Sequence, residues 1–258
     1  MRLQELFLIE TTEEDRALIS LSSAINASLG KYAEVEPEYD NPDDEDEGII
    51  RIGKIGQLFD TPIETFNGIN IELRSDDSIT RYANNQKKDE DVIRDPTQRM
   101  ILGVWEGTTN TMMLNIDYIG TNTLKTAITH ELRHALDDHK SGFKANASKS
   151  YSTPRNKEHR RVTKDPYYGN LKYLAEPAEI NARFAEVLHV MVPVIKRASK
   201  LEPDQVRPKI MKDLKTLLDQ NRISELFPEK EKSPQYKRLL KRAVDFINKE
   251  LAHVQSTK

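Results

Sequence analysis

Two histidines four residues apart, His130 and His134, are the side chains of this sequence whose types and spacing best suit chemistry. The segment has helical periodicity, in which four residues make about one turn, so both imidazole rings project from one face. Two neutral imidazoles on one face can hold a single zinc ion at about 2 Å each. Glu131 follows the first histidine and points slightly aside, where it can reach a metal-bound water as a general base. The motif therefore predicts zinc-dependent hydrolysis.

A catalytic zinc ion usually takes a third protein ligand and leaves one position for water. Glu179 is the favoured candidate, because it lies early in a second predicted helix that begins near Pro177 and has small residues close by. Glu176 remains a rival, as a cap or as a group behind the ligands, and His159 of the basic segment is a less favoured candidate near the metal. Acidic residues in the first turn of a helix interact favourably with the helix dipole, which would account for either glutamate without a metal. His139 is rejected as a ligand, since it lies five residues after His134 on another face of the same helix.

Other residues are candidates for orienting the ligands or for stabilising the oxyanion that forms when a carbonyl is attacked. Asp137 lies about one turn beyond His134 and can accept a hydrogen bond from a ligand ring, although a solvated helix end also favours aspartate. The candidate oxyanion donors are His159, Tyr167, Tyr168, Tyr173 and Arg183. Tyrosines more often serve packing, so the sequence does not choose among these donors.

The run His130-Glu131-Leu132-Arg133-His134, followed by Glu179-Ile180-Asn181-Ala182, resembles the gluzincin branch of the zincin metallopeptidases over roughly residues 98 to 195. The resemblance implies peptide-bond hydrolysis with zinc. It also implies a zincin-like core, in which a small, twisted, mostly antiparallel sheet lies beside the two ligand helices. The strand at 112–116 would then be a sheet edge that pairs with an extended substrate. The third histidine that marks metzincins is absent.

The surrounding segments alternate between strand-like and helical patterns, which predicts an α+β fold. Strands are predicted at 48–52 and 69–73, and a hairpin at 100–105 and 112–116 with its turn at 107–110. Helices are predicted at 11–30, briefly within 75–98, at 122–139, from 177 toward 193, and after 201. The helix at 122–139 carries the histidines and directly follows the hairpin.

Composition divides the chain into three expected parts. They are an N-terminal helix and acidic linker (1–48), a zincin-like metallopeptidase domain (49–200) and a C-terminal helical extension (201–258). Residues 34–47 hold nine acidic residues and no basic one, which predicts an exposed linker rather than a calcium loop. Residues 140–172 hold nine lysines or arginines and two acidic residues, typical of a lid, a dock for an acidic partner or a solvated loop.

The bulk composition limits the classes of partner. The 258 residues are 37% hydrophobic and 31% charged, and the formal net charge of −3 gives no strong attraction to nucleic acid or anionic lipid. No apolar run approaches the roughly 20 residues that span a bilayer. The absence of cysteine excludes thiolate ligands, so a metal must use His, Asp, Glu or water. We expect a soluble, cytoplasmic protein that acts on a protein or peptide.

The same pattern permits a second interpretation, a structural or assembly protein that keeps a zincin-like core with little or no activity. The helices after residue 201, with Lys237, Arg238, Lys241 and Arg242 beside an apolar stripe, can mediate oligomerisation or assembly. The short layout also resembles small zincin-like proteins encoded by bacteriophages, which implies a virion-associated location. Retention of Glu131 favours the enzyme, because a purely structural zinc site needs no base.

Overall fold

The computed structural model describes residues 12–33, 49–85, 101–141, 177–227, 230 and 232–256. Within these residues the chain is α+β, as predicted, with seven α-helices and one four-stranded mixed sheet. In chain order the elements are α1 (Thr12–Leu29), β1 (Ile49–Lys54), α2 (Ile55–Leu58), β2 (Asn70–Arg74), α3 (Asp76–Asn85), β3 (Gly103–Glu106), β4 (Thr111–Asn115), α4 (Asn122–Ser141), α5 (Pro177–Ala198), α6 (Pro203–Gln220) and α7 (Pro234–Ser256).

The described residues group into two compact units. The sheet unit consists of residues from 17 to 141, and the helical unit consists of residues 12–16 together with those from 177 onward. The predicted acidic linker at 34–47 and nearly all of the basic segment at 140–172 lie outside the described residues. The three-part division drawn through them stays a prediction.

The sheet has the strand order β1-β2-β4-β3. β3 and β4 form the predicted hairpin, with Trp105 opposite Met112, and β1 pairs with β2, also antiparallel. β2 and β4 are parallel neighbours, with Ile71 opposite Met112. The expectation that the strand at 112–116 is a sheet edge is therefore wrong. β4 is an inner strand, because β2 occupies its second backbone edge, and the hairpin places β3 at the rim instead.

One face of the sheet forms the core of the sheet unit. Alternate residues of β2 and β4 point to this face, and α1 and α4 cover it with apolar stripes at helical spacing. The fully buried members are Leu18 and Ile25 of α1, Leu73 of β2, Met112 and Leu114 of β4, and Ile128 and Leu132 of α4. A one-residue slip would turn either strand's apolar set away from the helices, so this packing fixes the register.

The opposite face of the sheet is more polar and contacts α3. Tyr82 of α3 donates its hydroxyl to Oε2 of Glu106 at 2.5 Å, and the backbone N–H of Thr108 donates to Oε1 at 2.9 Å. Burial acts to raise the pKa of Glu106, but the hydrogen bonds from Thr108 and Tyr82 together outweigh it, so this pKa is lowered. Arg74 stacks its guanidinium on the Tyr82 ring at 4.9 Å.

A fully buried asparagine, Asn115, fixes the point where β4 leads toward α4. Its Nδ2 donates to Asp76 Oδ1 and to the Ile101 carbonyl, each at 2.9 Å, and its Oδ1 accepts from the Asp117 N–H at 3.1 Å. The hydroxyl of Thr121 then caps α4 by accepting from the Leu124 N–H at 3.1 Å. These bonds set the start of the helix that carries the histidines.

The helical unit contains α5, α6 and α7. α5 begins at Pro177 as predicted but continues past Pro193 to Ala198. A proline removes one backbone hydrogen bond, and burial of Val194, Ile195 and Ala198 after it supports the last turn. Among the described residues, no helix combines the length and apolar character needed to cross a membrane.

Candidate metal centre

α4 presents His130 and His134 side by side. Ile128 and Leu132 of the same helix are fully buried, which fixes the rotation of α4 and leaves both imidazoles half-buried. The two Nε2 atoms are 2.9 Å apart, and the ring centroids are separated by 4.6 Å at an interplanar angle of 72°. A hydrogen bond joins the two rings at this distance, and the tautomers decide which ring is the donor. The spacing of four residues has therefore placed both nitrogens at one point, as predicted.

The two imidazole nitrogens have a spacing close to that of ligands in a zinc site. The nitrogen or oxygen ligands of a tetrahedral zinc site, each about 2 Å from the ion, lie about 3.3 Å from one another. The two Nε2 atoms need to separate by only a few tenths of an ångström to reach that distance. Glu179, in the helical unit, offers a buried carboxylate and stays the predicted third ligand. Two imidazoles and a carboxylate are a donor set that zinc accepts.

Glu131 lies next to the first histidine and against the rim strand β3. Its side chain is 8% exposed, so a carboxylate is held here with little access to water. A Cβ atom built on Gly103 of β3 would lie 3.0 Å from Cγ and 3.4 Å from Oε1 of Glu131. The missing side chain of Gly103 thus allows strand and glutamate to approach closely. The sequence interpretation did not single out Gly103, although a glycine inside a strand often marks such an approach.

The residues that follow His134 tie α4 to other groups. Asp137, the predicted partner of a ligand ring, accepts a hydrogen bond at 2.7 Å from Nη2 of Arg133, whose side chain is fully buried. Asp138 accepts from Nε1 of Trp105 in β3 at 2.6 Å. His139, rejected as a ligand, contacts Oδ1 of Asn110 through Nε2 at 3.2 Å. These contacts join the last turns of α4 to the hairpin.

Glu179 lies in the first turn of α5 and is 1% exposed. Arg183, one turn later, donates from Nε to Glu179 Oε1 at 2.6 Å. Arg183 was one of five candidate oxyanion donors, and in the structure it contacts the candidate ligand. Ile180 and Phe184 are fully buried and fix the rotation of the helix. The remaining candidates, His159, Tyr167, Tyr168, Tyr173 and Glu176, lie outside the described residues.

Comparisons with known proteins assign no family to the chain, because no family model, curated protein or solved structure matches it.

Proposed function

We propose that this chain is a zinc-dependent hydrolase of peptide bonds with a zincin-like core. His130, His134 and Glu179 are the zinc ligands, and Glu131 is the general base. The proposal depends above all on one observation, the placement of His130 and His134 on one face of α4 with their Nε2 atoms 2.9 Å apart. The buried carboxylate of Glu131 beside them supports hydrolysis rather than a purely structural ion, because a structural site needs no base.

Each residue has a distinct task in this reaction. Bound zinc supplies a Lewis acid that polarises a carbonyl and promotes ionisation of water. Glu131 accepts a proton from the attacking water on its carboxylate and delivers it to the leaving nitrogen. The close approach of β3 at Gly103 restricts where that carboxylate can lie. Arg183 orients the carboxylate of Glu179 by donating to one of its oxygens.

The position of β3 favours an extended peptide as the substrate. Among the described strands β3 pairs only with β4, so its other backbone edge is open to a further strand. The strand itself runs past Glu131, because Gly103 lies against that side chain. A peptide that pairs with β3 would have its backbone carbonyls fixed by main-chain hydrogen bonds. The strand expected to bind substrate is therefore β3 and not β4.

The test combines zinc analysis with cleavage of an unfolded protein. Wild type is expected to hold about one zinc ion per chain, as a three-ligand site with one open position implies, and to cleave. Glu131→Gln removes the base but no ligand, so it should keep zinc and lose cleavage. His134→Ala should lose both. Glu202→Gln is the matched control and should keep both, because Glu202 is an exposed glutamate at the start of α6 whose side chain accepts no capping hydrogen bond.

Two results would contradict the proposal in different ways. If wild type binds no zinc under conditions where it is folded, the metal centre is wrong. If wild type binds zinc but cleaves nothing across a broad peptide library, as Glu131→Gln does, the chain is a structural or assembly protein on a zincin-like core.

A further inference from the structure

A buried ion pair in the helical unit lies against the helix that carries Glu179. Asp15, in the first turn of α1, is 1% exposed and binds Arg242 of α7. Nε of Arg242 donates to Oδ2 at 2.9 Å, and Nη2 donates to Oδ1. The same guanidinium lies over the ring of Phe184 in α5, with Cζ 5.2 Å from the ring centroid. One side chain therefore contacts both α1 and α5.

This ion pair is more deeply buried than a second ion pair between α1 and α7. Lys249 of α7 and Glu13 of α1 are 2.6 Å apart, but their side chains are 45% and 71% exposed. Solvent screens such a pair, so it holds the helices weakly. The side chains of Arg242 and Asp15 are 12% and 1% exposed. Removing Arg242 alone would take away the guanidinium that pairs with the buried Asp15 carboxylate, which is strongly unfavourable.

Phe184 connects this pair to the candidate ligand. It follows Arg183, which donates to Glu179, and all three residues lie within the first two turns of α5. A guanidinium on a ring face is held by cation–π attraction and by stacking, both of which depend on the ring's orientation. Fixing the Phe184 ring restrains rotation of these turns about the helix axis. That rotation decides where Glu179 and Arg183 point.

We propose that Arg242 is a positioning residue for the metal centre. Locked by Asp15, it holds Phe184 and thereby the turn of α5 that presents Glu179 to the ion. This inference rests on the proposed function, in which Glu179 is a zinc ligand. It gives α7 a part in the site that is separate from assembly.

The test measures zinc affinity by competition with a chromophoric chelator, and amide hydrogen exchange at residues 179–185. Arg242→Met keeps the length of the stem without the charge. It should weaken zinc binding about tenfold or more, as loss of a group behind a metal ligand does, and speed exchange in these turns. Arg242→Lys keeps the charge but not the planar fork, so its loss should be intermediate.

Three controls separate positioning from stability. Lys249→Met removes the exposed pair on the same helices and should change neither readout. Leu239→Ala deletes a buried apolar side chain of α7 and should lower thermal stability while zinc affinity of the folded protein stays at the wild-type value. The double variant Asp15→Asn with Arg242→Met removes both buried charges. It should restore stability without restoring zinc affinity. It also replaces Arg242→Met as the test variant if that single variant does not fold.

The inference is overturned if Arg242→Met or the double variant binds zinc as wild type does, or if Leu239→Ala loses as much affinity at equal loss of stability. If wild type binds no zinc, the proposed function is refuted independently of this inference. Hydrogen exchange then tests on its own whether Arg242 positions the first turns of α5. Faster exchange at 179–185 in Arg242→Met than in Leu239→Ala supports this role, and equal rates refute it.

Discussion

Gly103→Ala tests the close approach of β3 to the proposed general base. The new methyl group would lie 3.0 Å from Cγ of Glu131 and 3.5 Å from Cδ2 of Leu114. Carbon atoms prefer separations of about 3.5–4.0 Å, so Glu131 must retreat by about 0.5–1 Å, and Leu114 is fully buried and has no room to yield. A displacement of about 1 Å at a reacting group can lower a rate about 100-fold. We therefore expect kcat to fall about 10- to 100-fold.

Stability and metal content distinguish this local effect from general damage. Replacing glycine by alanine stabilises a protein by about 0.4–1 kcal/mol through the unfolded state, while overpacking costs about 1–3 kcal/mol. The net loss should therefore stay below about 3 kcal/mol, and zinc content and KM should stay close to wild type. Gly30→Ala is the control, because a Cβ there meets nothing within 4 Å. Wild-type kcat in Gly103→Ala would refute the reasoning.

Two further predictions concern the sheet unit. Asn115→Ala removes three buried hydrogen bonds and should lower the free energy of unfolding by about 3 kcal/mol, measured by urea denaturation; a loss below about 1 kcal/mol would contradict the assigned bonds. Because the pKa of Glu106 is lowered in the folded state, its contribution to stability is present above the ordinary glutamate pKa of about 4.3 and is lost as pH falls through the lowered value. Wild type should therefore lose more thermal stability than Glu106→Gln between about pH 5 and pH 3, and parallel curves would contradict this sign.

The elements that the sequence predicted correctly depend on short-range signals. The hairpin is marked by Gly107 to Asn110 between two apolar runs, and α4 by apolar residues at helical spacing. The pairing of His130 with His134 follows from the same helical period, so two candidate ligands could be placed without any tertiary information. Local signals were thus sufficient to predict one face of α4 and the hairpin turn that precedes this helix.

The roles that the sequence did not reveal depend on contacts between distant segments. Asp15 and Arg242 are 227 positions apart, and nothing near either residue indicates the other. The parallel pairing of Ile71 with Met112 is equally remote from any turn signal. Arg242 lies next to the buried Ala243 within an apolar stripe, which indicates a position close to the core but does not identify the partner of its guanidinium.

The wrong prediction of the sheet edge and the failure to identify Gly103 from the sequence have the same cause. Placing the edge at 112–116 required only the order of segments along the chain, whereas the true order depends on β2 pairing with β4. Once β2 occupies that side, the hairpin carries β3 outward to the rim, and β3 becomes the strand beside Glu131. A strand this close to a buried carboxylate has no room for a side chain at the point of contact, and the residue there is Gly103. The long-range pairing therefore explains both why β3 lies at the rim of the sheet among the described strands and why glycine lies at its contact with Glu131.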